Sequence, residues 1–197
     1  ANSALEIATL DDLSNIGVLT PHLMANAAAA TALARSYGVP PEDIKTALVN
    51  FRLDAHRIEL VAEQDQIRWV DDSKATNPHA AAASLNSFEK VVWIVGGLLK
   101  GVDLGDLVSK YANRLSAAIV IGKEREAVLA ALAQNAPGIP VTEIIDQDNV
   151  MHQVVSAAKQ LAKPGDVVLL APAAASMDQF TDYAERGRLF AEAIRQK

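Results

Sequence analysis

The sequence contains no cysteine, so it can form neither a disulfide nor a thiolate metal site, which suits a reducing cytosol. Basic residues are outnumbered, 18 Lys and Arg against 24 Asp and Glu, and the net charge is -6. The lysines and arginines are scattered singly, without the basic stripe that a phosphate backbone demands, so nucleic acid is not an expected partner. No apolar run approaches the roughly 20 residues of a membrane span, because alanine-rich stretches such as AAAATALA are short and bounded by polar residues. No membrane insertion is expected. His22, His56, His79 and His152 form no HxxxH or HxH pair, and their spacing suggests no zinc site. The opening ANSALEIATLDDLSN lacks the basic start, apolar middle and small-residue cleavage site of a secretory signal. It also lacks an initiator methionine and leads into mixed strand-or-loop material, as a truncated or proteolysed chain would. A soluble, cytoplasmic monomer is the expectation.

With 197 residues and 50% hydrophobic content, the chain can bury a proper core, and its pattern suggests two unequal pieces. Residues 22–37 carry alanine and leucine at helical spacing and stop at Gly38, a residue suited to a helix C-terminus. A second helix is predicted from about Pro41, with acids in its first turn and Ile44, Leu48 and Phe51 on one face. The runs RLDAHRIELV and IRWVDD, separated by a polar turn, predict a β-hairpin over about 57–71, with the domain boundary just before it. The resulting division is 1–54 and 55–197.

Beyond the hairpin the pattern alternates. VVWIVG at 91–96, AAIVIG at 117–122, PVTEII at 140–145 and DVVLLAP at 166–172 are short, nearly continuous β-branched runs. The intervening HAAAASLNSF, LGDLVSKYANRL, EREAVLAALAQ and NVMHQVVSAAKQLA read as helices, and SMDQFTDYAERGRLFAEAIRQ as one or two more. Apolar strands alternating with amphipathic helices predict an α/β fold, a Rossmann-like, mostly parallel sheet with helices on both faces. Trp69 and Trp93 should fill the core, each with a partner for its indole N–H. Met24 and Met151 read as gap-filling core residues, and His79 as an exposed first-turn histidine.

In such a sheet the ligand crevice lies beyond the carboxyl ends of the strands. Four loops are expected there: DDSKATN, GGLLKG, GKER and APAAAS. Asn77 or Thr76 can cap a helix starting at Pro78, while Lys74, Lys100 and Lys123 supply positive charge and Ser176 a hydroxyl. The set suits a small acid or a phosphate. Asp71 and Asp72 could accept a hydrogen bond from a ribose or help hold a hydrated Mg2+; equally, Asp72 could pair with Lys74 while Ser and Thr cap the turn. Both readings stand at this level.

The ordered set FRLDAHRIE, WVDDSKATNP, GGLLKG and LLAPAAASMDQFTDYAERGRLF closely resembles the C-terminal half of the Mur ligases of peptidoglycan synthesis, from about Gly17 onward. The resemblance is to the members that add D-glutamate to UDP-N-acetylmuramoyl-L-alanine. It implies that 1–54 is the end of a central ATP-binding domain and 55–197 a complete amino-acid-binding domain. It further implies that Lys74, Thr76, Lys100 and Ser176 hold the two carboxylates of D-glutamate, with Phe180 and Tyr183 lining the same region. For ATP, the matching residues are Asn26 at adenine, Arg57 at the phosphates and Asp72 near the ribose; Leu23 departs from relatives that carry a second adenine-facing asparagine. The sequence has no GxxxxGK[ST] phosphate loop, and the family's Mg2+-holding groups find no match, so this chain alone is expected to be inactive. Rival readings are another amide ligase of the superfamily and a non-catalytic Rossmann-like binding module.

Overall fold

A computed structural model describes residues 5–146 and 148–196. The chain divides into two compact units, residues 1–54 and 55–197.

The first unit is helical. A one-turn helix, α1 (Leu10–Leu13), stands where strand or loop was expected; Thr9 and Asp12 form a reciprocal capping box that satisfies its first amides. A 3-10 turn follows at Ser14–Ile16, then α2 (Pro21–Ser36) and α3 (Pro41–Asn50), each opened by a proline in its first turn. Gly38, at φ +81°, makes the left-handed turn after α2. Leu13, Ile16 and Leu23 form a small buried cluster against Leu19, Leu48 and Leu53. Met24 is 41% exposed rather than a core filler.

The second unit is an α/β sandwich. Strands β1 (Glu59–Gln64) and β2 (Ile67–Asp71) form an antiparallel hairpin. Asp65 and Gln66 both have positive φ, the two-residue geometry whose twist matches that of paired strands. The remaining elements are α4 (Pro78–Leu85), β3 (Val91–Gly96), α5 (Gly105–Tyr111), β4 (Leu115–Ile121), α6 (Arg125–Asn135), β5 (Val141–Glu143), α7 (Val150–Leu161), β6 (Val167–Leu170) and α8 (Tyr183–Arg195). The sheet order is β1-β2-β6-β3-β4-β5, and every pairing except β1 with β2 is parallel.

The central strands are apolar throughout because both faces are covered. Val92, Ile94, Ile119, Val168 and Leu170 pack with Met151, Val154 and Ala158 of α7 and Phe190 and Ile194 of α8. The alternate residues Val91, Trp93, Val95, Ala118 and Val120 are equally buried on the face where α5 and α6 pack. Trp93 donates its indole N–H to the Ala171 carbonyl at 2.8 Å, whereas the buried Trp69 indole N–H has no hydrogen-bond partner among the described residues. The segment read as one or two closing helices forms one, since residues 177–182 are bends and turns. Among the described residues, no helix is long and apolar enough to cross a membrane.

Candidate functional site

All five parallel strands end on one edge, and the loops after β2, β3, β4 and β6 meet there. They are stitched together by backbone bonds: Ala173 N–H donates to Ala75 O at 2.9 Å, and Leu98 and Ala175 exchange bonds of 2.9 and 3.1 Å. Glycine makes this approach possible. A Cβ on Gly97, at φ +137°, would overlap the Ala175 carbonyl, and one on Gly122, at φ +90°, would overlap the Gly97 backbone.

The β2 loop turns sharply into α4. Asn77 accepts the Ala80 N–H at 3.0 Å as the N-cap, and Pro78 takes the first helical position, where no N–H is needed. Lys74 lies with its ammonium 5.3 Å from the centre of the Tyr183 ring, a cation–π contact, so these two predicted residues are neighbours. Ser73 Oγ donates to the Tyr183 carbonyl at 2.7 Å, which ties the β2 loop to the start of α8.

Arg186, absent from the sequence-based set, is the hub of this arrangement. Its side chain is fully buried: Nε donates to Ser73 Oγ at 2.9 Å, Nη2 to Ser73 O at 2.8 Å, and both Nη atoms to Ala174 O at 3.3 Å. Burial pulls its pKa down to about 10, while Asp178 and Asp71 oppose the shift. It remains a cation at neutral pH. The signal available in the sequence was the ERG tripeptide itself, one helical turn into α8.

The two adjacent acids have separate roles. Asp71 is 1% exposed; its Oδ1 accepts the Ser73 N–H at 2.8 Å and its Oδ2 meets His56 Nδ1 at 2.6 Å. It is therefore not open to a ribose or a metal, as the sequence allowed. His56, Glu59 and Asp71 bring their ligand atoms within 4.8 Å of one another, but as a hydrogen-bonded cluster in which Glu59 also accepts the His56 N–H at 3.0 Å. Gly187 makes room for it: a Cβ there would overlap His56 Nδ1 and lie 2.5 Å from Asp71 Oδ2. Gly187→Ala is expected to destabilise the chain by about 1–3 kcal/mol, because overpacking outweighs the better helix propensity of alanine. Urea denaturation measures this; an unchanged midpoint would contradict the packing.

Asp72 is 8% exposed and accepts the Ser84 hydroxyl. Its pKa is raised from 3.8 to about 6, first by burial and further by the Asp71 charge, against hydrogen bonds from Ser84 and the Ile58 N–H and the Arg57 charge. The folded chain therefore binds this proton more tightly than the unfolded chain does. Ionising Asp72 costs stability as pH rises through about 6, and acidification from pH 7 towards 5 relieves that cost. Asp72→Asn keeps an acceptor for Ser84 and removes the titration. Its stability advantage over the parent should shrink as pH falls from 7 to 5; a gap independent of pH would contradict the shift.

The β3 loop carries Lys100, exposed and at φ +56°. Glu124, at the start of α6, accepts the backbone N–H of Leu99 and, at 3.2 Å, that of Lys100. Lys123 N–H is held in turn by Asp178 Oδ2 at 2.7 Å. Neither acid was read from the sequence, since both act on loops distant in the chain.

Thr76 is half-buried on the β2 loop, and Ser176 is buried in the β6 loop, where its carbonyl accepts the Phe180 N–H at 2.9 Å. Lys74, Thr76, Lys100, Ser176 and Tyr183 thus lie on segments cross-linked at one edge. Phe180 packs against the core cluster beneath that edge. Arg57 is exposed at the start of the second unit, where its charge acts on Asp72. Asn26 lies in the other unit, exposed on α2 beside a mainly apolar cleft of about 440 Å³ that α3 also lines.

The family profile described as "Mur ligase, glutamate ligase domain" matches residues 56–174. The chain is 55% identical over 195 residues to the UDP-N-acetylmuramoylalanine--D-glutamate ligase of Leifsonia xyli, covering 98% of this chain and 38% of the relative. The same-named ligase of Thermobifida fusca is 51% identical, over 99% of this chain and 42% of the relative. The chain spans about two fifths of the length of these curated relatives. Among solved structures, a UDP-N-acetylmuramate-alanine ligase from Thermotoga maritima is similar with a TM-score of 0.62 at 19% identity, covering 90% of this chain and 39% of that one. MurF from Acinetobacter baumannii gives 0.60 at 19% identity, over 89% and 38%. At such identity these two establish likeness of fold alone.

Proposed function

The chain belongs to the Mur ligase family, and on that premise we propose that it is the amino-acid-binding part of an ATP-dependent ligase joining D-glutamate to UDP-N-acetylmuramoyl-L-alanine. The observation that supports this reading is that the loops bearing Lys74 and Thr76, Lys100, and Ser176 are cross-linked by backbone bonds at one sheet edge. A dianionic amino acid needs two separate cationic anchors, and these two lysines supply them. The hydroxyls of Thr76 and Ser176 add hydrogen bonds to the carboxylates, and the Tyr183 ring fixes the ammonium of Lys74.

ATP is a substrate of the proposed reaction. Arg57, exposed and with a planar, permanently charged fork, suits its phosphates. Asp72 is assigned near the ribose and Asn26, in the first unit, at adenine. Asp71 and Asp72 are buried and already hydrogen-bonded, which fits a hydrated Mg2+ poorly. The metal is therefore assigned to residues outside this chain, and the 197-residue chain alone is expected not to turn over.

In the proposed sequence, a carboxylate oxygen of the alanine attacks the γ-phosphorus of ATP and ADP departs, leaving an acyl phosphate. The D-glutamate amine then attacks the acyl carbon, loses a proton and expels inorganic phosphate, forming the amide. Such chemistry needs no enzyme nucleophile; positioning and charge neutralisation supply the rate. With the alanine carboxylate labelled with ¹⁸O, the full-length protein should deliver one ¹⁸O into the released phosphate. Unlabelled phosphate with normal amide yield would rule out the acyl phosphate.

A further inference from the structure

Lys100 sits on a loop that must be held in an unfavourable shape. It has φ +56° and the following Gly101 φ +77°, two successive left-handed residues, of which the lysine carries the steric penalty of its Cβ. One side of the loop is clamped by the paired bonds between Leu98 and Ala175. On the other side the N–H groups of Leu99 and Lys100 converge on a single oxygen, Oε2 of Glu124.

We propose that Glu124 is a positioning residue for the amine-donor site: its carboxylate fixes the backbone from which Lys100 reaches the substrate. This rests on the reading of Lys100 as a D-glutamate anchor. Successive backbone N–H groups in a left-handed turn form a concavity suited to an anion. Glu124 fills that concavity from within the protein, so the incoming carboxylate is left to the Lys100 ammonium rather than captured by the turn. Glu124 is itself anchored, because the neighbouring Lys123 N–H is bound by Asp178 Oδ2 at 2.7 Å and Gly122 packs against Gly97 without room for a Cβ. The chain of contacts runs from the SMDQF segment through the β4 loop to the β3 loop. Removing the carboxylate strands the amide of the buried Leu99 and that of Lys100, which drives the turn to rearrange.

The test is steady-state kinetics on the full-length protein carrying Glu124→Ala, Glu124→Gln and Glu124→Asp. E124A should raise KM for D-glutamate about tenfold or more, as expected when a binding group is displaced by about an ångström, with KM for ATP and for the UDP-sugar substrate unmoved. E124Q, whose amide oxygen accepts the same two N–H bonds, should stay within about threefold of the parent. E124D, one methylene short, should resemble E124A and replaces it if the alanine variant does not fold. A D-glutamate KM within twofold of the parent in E124A or E124D, or a parallel rise in KM for ATP, overturns the proposal.

If the unmodified full-length protein shows no turnover dependent on D-glutamate, the functional reading fails instead. The positioning role is then read from hydrogen exchange, where E124A, or E124D in its place, should speed exchange at the Leu99 and Lys100 amides by about tenfold. Unchanged protection at both amides overturns it on that ground as well.

Discussion

Lys100→Ala in the full-length protein is expected to lower kcat/KM for D-glutamate by roughly 30-fold to several thousand-fold, the equivalent of about 2–5 kcal/mol. The free lysine is exposed, so its removal should cost little stability. The loss arises on binding, when a substrate carboxylate gives up water and finds no cation opposite. Lys74 cannot compensate, because it lies on the β2 loop against Tyr183 and serves the other carboxylate in this account. The apparent KM for ATP should hold. Unchanged kcat/KM for D-glutamate would remove Lys100 from the site, and an equal loss towards ATP would mean that the loop supports the fold rather than the substrate.

Arg186→Ala should produce the largest loss of stability. Its guanidinium is buried and spans the β2 and β6 loops through Ser73 O, Ser73 Oγ and Ala174 O. Truncation leaves two carbonyls without their donor and opens a cavity beneath the site, at a combined cost of about 3–5 kcal/mol. Arg186→Met restores most of the volume and none of the bonds, so it separates the two contributions. Arg186→Lys keeps a cation but cannot reach both loops with a planar fork. Chemical denaturation of the 197-residue chain reads all three. A loss below about 1 kcal/mol for Arg186→Ala would show that the loops hold their shape without it.

The parts of the fold legible in the sequence were those set by local periodicity. VVWIVG reads as a strand covered on both faces because no polar residue interrupts it, and all six residues are buried. The hairpin, the four edge loops and the Asn77–Pro78 helix start follow from equally local signals. β5 is shorter than the run PVTEII suggested, covering Val141–Glu143, and Ile145 beyond its end is 66% exposed. The one-turn α1 escaped a reading based on apolar spacing, which four residues cannot display; the Thr9–Asp12 box was its signal.

The supports of the candidate site were not legible in this way. Arg186 and Ser73 are 113 positions apart, Asp178 and Lys123 are 55 apart, and Glu124 reaches back 25 residues to Leu99. No spacing rule joins such pairs. Adjacent identical acids illustrate the same limit: Asp71 and Asp72 point to opposite sides of β2, one to His56 and the other to Ser84, and the sequence could not separate their roles. Gly187 reads as a helix residue of poor propensity until the histidine–aspartate pair beneath it is seen.

The cross-linked loops at this sheet edge are proposed to select D-glutamate as the amine donor. That selection is tested most directly by measuring ADP release from the full-length protein given ATP, Mg2+ and UDP-N-acetylmuramoyl-L-alanine with each of D-glutamate, L-glutamate, L-alanine and a diamino acid. Turnover is expected with D-glutamate and little with the others, because two carboxylates on the correct hand are needed to span Lys74 and Lys100. Turnover with a different amino acid and none with D-glutamate would contradict it, as would a protein that binds these ligands and releases no ADP with any of them.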